Sequence, residues 1–301
     1  MIKTTKNKGL FFQLVKLITL AVLAWLCFNH FNKLPLGAIP SIESIKLLPC
    51  ILALLLVVVN YYFEYKKWQL TLNQSNTSLS RSAEIQSFFA GIITGMLTPN
   101  MQGNFIGRIY YTPRIKRVSI ILLTLVGNFG QFITTILMGL FAFFFYQELS
   151  FQLWIPIALL VLAIFSYFNF EKINYFQKKW KWYKRLNFVM MEDRSFRWLI
   201  LWFSFLRNLV FSFQFLLVLY AFGAEFSWYT YLLIWTIYLY TTLSPSLFLG
   251  KLVVRESIAV LVLAPLGLPV WNVIFASLLI WVINLLLPTL TGLFICKRIS
   301  R

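Results

Sequence analysis

The chain holds one histidine, His30, one aspartate, Asp193, and three cysteines, Cys27, Cys50 and Cys296. These scarcities exclude much catalytic chemistry. One histidine without clustered cysteine or aspartate cannot build the usual zinc sites. A lone aspartate cannot form an intramembrane aspartyl dyad. His30 stands near the end of the first apolar run, too shallow for a serine–histidine hydrolase working at membrane depth. The cysteines fall in or beside apolar runs and show neither metal-ligand spacing nor a disulfide framework. No phosphate-binding or dinucleotide-binding glycine pattern occurs. The expectation is a protein with no metal and no cofactor, and none of these enzyme classes.

Acidic residues are scarce as well, nine against 27 Lys and Arg, for a formal charge of +18. What is abundant is apolar: 60% of the residues, with a mean hydropathy of +0.77. A soluble domain holds roughly 45–50% and could not bury the surplus. The runs 10–30, 47–65, 118–147, 151–169, 198–222 and 270–296 each approach the length that crosses a bilayer core. Lys3, Lys6 and Lys8 precede the first run like a secretory signal, but no small-residue cleavage site follows Ala24, so 10–30 reads as an uncleaved span. The prediction is an all-α polytopic membrane protein, one integral domain over residues 1–301.

The positive charge is distributed as topology rather than as a nucleic-acid footprint. Lys66, Lys67 and Arg81 follow the second run; Arg114, Lys116 and Arg117 precede the third. The connection 170–197 and the tail, with Lys297, Arg298 and Arg301, are basic, whereas the alternate connections hold only Lys33 and Lys46. The positive-inside rule puts the basic segments, both termini included, in the cytoplasm. The stretch KKWKWYKR at 178–185 reads as an interfacial anchor.

Two segments interrupt the apolar pattern in the same way. TPNMQGNFIGR at 98–108 and SPSLFLGKLVVR at 244–255 each carry a proline, a glycine, and an arginine five positions beyond the glycine: Pro99, Gly103, Arg108, and Pro245, Gly250, Arg255. For the charges on both sides of 83–112 to stay cytoplasmic, that segment must enter and leave the membrane on one face. The same holds for 228–267 on the opposite face. Six spans and two re-entrant hairpins result, arranged as inverted repeats of about 47–147 and 198–296. Broken helices at matched positions of such repeats point to a transporter's substrate site. Arg207, mid-way along 198–222, is a cation at membrane depth that needs a partner, with Glu64, Glu84 and Glu256 as candidates. Three interior arginines, Arg108, Arg207 and Arg255, with few acids at membrane depth leave positive charge over, which suits an anionic ligand. Gln102, Asn104 and Ser246 are expected to add neutral hydrogen bonds, and Glu256 stands beside Arg255 in the same predicted site.

With these motifs in place, the chain resembles the lysylphosphatidylglycerol synthase transmembrane family, also called flippase-like. The likeness runs from EYKKW at 64–68 to WVINLLLPTLTG ending at Gly292. TPNMQGNFIGR is similar to a TPNRxGExxGR signature of one bacterial subgroup, SFLRNLVFSFQFLLVL to a block of the later span, and SPSLFLGKLVVRES to a segment ending ELGVRGS. The resemblance implies a membrane protein that moves lipids between leaflets and does not name the lipid; with the arginines, the expected partner is an anionic phospholipid or a lipid-linked intermediate, and the expected location is the bacterial inner membrane. The soluble aminoacyl-transferase domain of bifunctional members has no counterpart in these residues, so lysyl transfer is not implied. Asn104 and Lys251 stand where the subgroup carries acids, and Met101 where it carries arginine; the losses make the cavity more positive. Two other readings stay open: an enzyme on a lipid-linked substrate, with Glu64, Glu84 or Glu256 as base, and a non-transporting scaffold.

Overall fold

The computed structural model describes residues 42–96, 98, 103–146, 154–169, 194–244 and 250–296. The expected span 10–30, the turn residues Pro99 and Pro245, the ligand candidates Gln102 and Ser246, the anchor at 178–185 and the basic tail lie outside them. Every regular element among the described residues is helical: α1 (Leu47–Gln74), α2 (Arg81–Met96), α3 (Asn104–Tyr110), α4 (Arg117–Tyr146), α5 (Trp154–Asn169), α6 (Arg194–Ala221), α7 (Trp228–Leu243), α8 (Gly250–Leu263) and α9 (Val270–Ile295). Among the described residues four segments are long and apolar enough to cross a membrane, Leu47–Gln74, Arg114–Phe145, Arg194–Ala221 and Val270–Ile295. The expected span 151–169 corresponds to α5, an apolar helix of 16 residues.

The helices are inside-out relative to those of a soluble protein. On α1, Leu47, Ile51, Leu55, Val58 and Tyr62 form an exposed stripe, while Ala53, Asn60, Glu64, Lys67 and Thr71 are buried. Both sets recur at intervals of three, four or seven, the spacing of opposite helix faces. Water would reward the reverse. In hydrocarbon, leucine costs nothing on the outside and polar groups must find protein partners within. The helix runs nine residues past the expected end at 65, and this extension turns Lys67 inward.

Two helical hairpins stand between the long helices. α2 and α3 pack on one another, as do α7 and α8. The packing then crosses over. α1 lies along α6; α2 packs on the last part of α9, Leu287–Ile295, and α7 packs on α4. Thus the first helix of each hairpin rests on the last long helix of the other half. Both of these contacts run over a glycine. A Cβ at Gly139 of α4 would come within 2.4 Å of Leu239 Cβ on α7, and one at Gly292 of α9 within 3.3 Å of Ile93 and Phe89 on α2. Small residues allow helices to approach where no aqueous hydrophobic effect drives them together.

Arg197, expected in the basic connection, is 1% exposed at the start of α6 and donates to the carbonyls of Tyr167 and Phe168 at 3.2 and 2.9 Å. It therefore closes the C-terminal end of α5, where free carbonyls and the helix dipole favour a cation. α9 widens into a π-helical turn over Val282–Leu286 just before Pro288. Proline has no N–H for the carbonyl of Asn284 four residues earlier, and Tyr61 Oη donates to that carbonyl at 2.7 Å instead.

Candidate functional site

The two halves enclose a cavity of about 360 Å³, walled by α1, α4, α6 and α9 and by both hairpins. Arg108, Arg207 and Arg255 all border it, as does Asn104. Sequence spacing had aligned the first and third of these arginines, and the fold brings all three to one space.

Glu64 on α1 is the electrostatic centre. Its Oε1 accepts from Arg108 at 3.2 Å, and its Oε2 lies 3.1 Å from Lys67 Nζ and 3.2 Å from Arg207 Nη1. One carboxylate therefore serves three cations from α1, α3 and α6. Two charges of the three have no counter-charge within the cluster. The partners differ in access: the side chains of Arg108 and Lys67 are 5% exposed, that of Arg207 22%. Arg108 is further confined by the Trp68 ring, 4.9 Å from its guanidinium carbon. Arg207 is thus the cation of this cluster most open to a ligand.

A chain of side-chain contacts ties Arg207 across the interface. Its Nε donates to Asn60 Oδ1 at 3.0 Å, and its Nη1 reaches Gln131 Oε1 at 3.5 Å. Asn60 Nδ2 in turn donates to Asn284 Oδ1 at 2.6 Å. Gln131 and Asn284, from the two last long helices, stand 153 positions apart, the same separation as Gly139 and Gly292.

The second hairpin supplies a neutralised pole. Arg255 on α8 donates through Nε to Ser277 Oγ at 3.1 Å and through Nη2 to the Ser277 carbonyl at 2.8 Å and to Glu256. Ser277 Oγ donates to the same Glu256 oxygen at 3.0 Å. Glu256 pairs with Arg255 and is not among the residues that border the cavity.

The first hairpin positions Arg108 through close backbone packing. Gly103 precedes α3, and its N–H donates to Thr98 Oγ1 at 2.7 Å. Asn104, at the subgroup's acid position, exchanges reciprocal amide hydrogen bonds with Asn128 of α4 at 3.1 and 3.3 Å. Gly107 lies against the backbone of α2, where an added Cβ would come within 2.1 Å of the Ala90 carbonyl oxygen. Gly107→Ala is expected to push α3 off α2 and displace Arg108, at a cost of about 1–3 kcal/mol for overpacking. A lowered melting temperature of the purified protein checks this.

Of the other predicted residues, Glu84 takes neither Arg108, Arg207 nor Arg255. It accepts from Tyr65 Oη at 2.6 Å and Gln69 Nε2 at 3.0 Å, within the α1–α2 contact. Gly250 begins α8. Sequence reasoning missed Lys67, counted as a surface charge, and the carboxamides Asn60, Gln131 and Asn284. Helical spacing from Glu64 was the available signal for Asn60 and Lys67; Gln131 and Asn284 lie on other helices, and only the packing brings them to Arg207 and Asn60. Among the described residues no group of three His, Cys, Asp or Glu side chains could hold a metal.

These features define a multi-pass helical membrane protein with a largely apolar cavity, bordered by four cations, between two interlocked halves. The chain belongs to the family described as the lysylphosphatidylglycerol synthase TM region, whose model matches residues 13–292. No curated protein and no solved structure matches it significantly.

Proposed function

We propose that the protein is a lipid translocase that carries an anionic headgroup between membrane leaflets. The observation that carries this reading is the cavity itself: uncompensated positive charge held inside a membrane protein, in contact with both hairpins. Such charge is expensive at membrane depth, about 2.5–3.5 kcal/mol per cation on insertion scales, and a phosphate headgroup would offset it.

The halves 47–147 and 198–296 are inverted repeats in this reading, with two re-entrant hairpins and six spans, the segments 10–30 and 151–169 included. The crossed packing of α2 on α9 and of α7 on α4 supports it, as do the matched pairs Gly139 with Gly292 and Gln131 with Asn284. The headgroup enters between the hairpins while its acyl chains remain in lipid. Rocking of one half against the other then exposes the Arg207 cluster to each side in turn. The basic segments and both termini face the cytoplasm across a bacterial inner membrane, and the 301 residues act as one domain.

Transport is favoured over lipid-linked enzyme chemistry because the three carboxylates considered as bases are each engaged: Glu64 by three cations, Glu256 by Arg255, and Glu84 by Tyr65 and Gln69. The test is transbilayer movement of acyl-chain-labelled phosphatidylglycerol in liposomes containing the purified protein, read by a membrane-impermeant reductant. The expected result is movement well above protein-free liposomes, lost in Arg108→Gln. Movement no faster than in protein-free liposomes returns the choice to the enzyme and scaffold readings.

A further inference from the structure

We propose that the headgroup taken by this cavity is a hydroxyl-bearing phosphodiester, and that headgroups carrying an amine, the aminoacylated ones included, are rejected. The inference rests on the translocase reading and narrows its substrate.

The walls carry more positive than negative charge. Among the described residues, Lys67, Arg108, Arg207 and Arg255 border the cavity, and the carboxylates near them are Glu64 and Glu256. Arg255 is matched by Glu256, whereas Lys67, Arg108 and Arg207 share Glu64 alone. A phosphodiester meets a surplus of two charges. An ammonium group meets that same surplus and finds the single wall carboxylate already surrounded by cations. An unfavourable charge contact of this kind is a recognised basis of discrimination between partners.

Neutral hydrogen-bonding groups lie beside the cations. Asn104, Asn128 and Asn208 border the cavity with hydrogen-bonding capacity left over. Asn104 and Asn128 each use one N–H on the other, and Asn208 donates one N–H to Thr135 at 3.2 Å. A carboxamide has two N–H donors and two acceptor lone pairs, so neutral positions for ligand hydroxyls flank the charged cluster. Tyr238, 8% exposed and also on the wall, has a buried hydroxyl with no partner among the described residues. Buried polar groups are rarely left so. A phosphate without hydroxyls would use the cations and leave this second set idle.

The test uses the full chain in phosphatidylcholine liposomes with trace acyl-chain-labelled lipids, each in turn. Phosphatidylglycerol and phosphatidylinositol are expected to cross at least tenfold faster than lysylphosphatidylglycerol, and several-fold faster than phosphatidic acid. Lysylphosphatidylglycerol crossing at the rate of phosphatidylglycerol overturns the proposal, and phosphatidic acid at that rate overturns its hydroxyl part. A parallel thermal-shift arm in neutral detergent separates binding from movement. Stabilisation by phosphatidylglycerol but not by lysylphosphatidylglycerol, without movement of either, supports the site chemistry and sinks the translocase reading; no stabilisation and no movement sinks both. Gln131→Glu, which adds a carboxylate beside Arg207, is expected to narrow the rate ratio of phosphatidylglycerol to lysylphosphatidylglycerol at least threefold, and an unchanged ratio contradicts the charge argument.

Discussion

Arg207→Gln is expected to slow phosphatidylglycerol movement about 30-fold or more while leaving folded protein in the membrane. Removing one partner of a desolvated, charge-assisted contact costs about 2–5 kcal/mol, and each 1.4 kcal/mol is a factor of ten. The loss falls on activity because of how Glu64 is arranged. Without Arg207 the carboxylate still holds Lys67 at 3.1 Å and Arg108 at 3.2 Å, so no buried charge is orphaned. What disappears is the most accessible cation of the cluster. Arg207→Lys should fall between the two, since lysine keeps the charge but not the fork that reaches Asn60 and Gln131 together. The measurement is the transbilayer rate beside the melting temperature of the same preparations. A large drop in melting temperature with Arg207→Gln would make the residue structural rather than ligand-binding.

Glu64→Gln should behave in the opposite way. Three cations would then face one another with no counter-charge, and removing one partner from a buried ion pair costs about 3–5 kcal/mol. The melting temperature in neutral detergent is expected to fall by several degrees. The loss should be recovered by added phosphatidylglycerol, because a lipid phosphate can take the place of the missing carboxylate, and a ligand that binds the folded state alone stabilises it. Phosphatidylcholine, whose ammonium offsets its phosphate, should recover less. If neither lipid restores the variant, the cluster is a structural ion pair and not a headgroup site.

Much of the frame was legible in the sequence, because burial of charge in hydrocarbon is costly enough to leave few options. Four apolar runs became helices within a few residues of the expected starts, with α4 covering Arg117–Tyr146 against 118–147 and α9 covering Val270–Ile295 against 270–296. Arg108, Arg207 and Arg255 could be singled out together for the same reason. Lys67 and Arg197 could not. The positive-inside rule reads charges by their place along the chain, whereas burial depends on which face of a continuing helix they occupy. Lys67 lies three residues after Glu64 on the inward face of α1, and Arg197 on the face of α6 that meets α5. Glu84 was a candidate partner for an arginine by composition alone; Tyr65 and Gln69 claim it where long side chains of α1 reach α2, as Trp68 reaches Ser87 Oγ at 3.1 Å. The coupling of Pro288 to Tyr61 through the Asn284 carbonyl depends on helices far apart in sequence, and no local pattern announces it.

The central claim is that the cavity opens to each side of the membrane in turn. It is tested most directly by thiol accessibility in sealed vesicles, with Cys27, Cys50 and Cys296 replaced and one cysteine placed at Thr241 on the cavity wall. An impermeant maleimide is applied from the outside or trapped inside. The account predicts labelling from both sides, with phosphatidylglycerol shifting the ratio and Arg207→Gln abolishing that shift. Labelling from one side only, unchanged by lipid, would contradict alternating access.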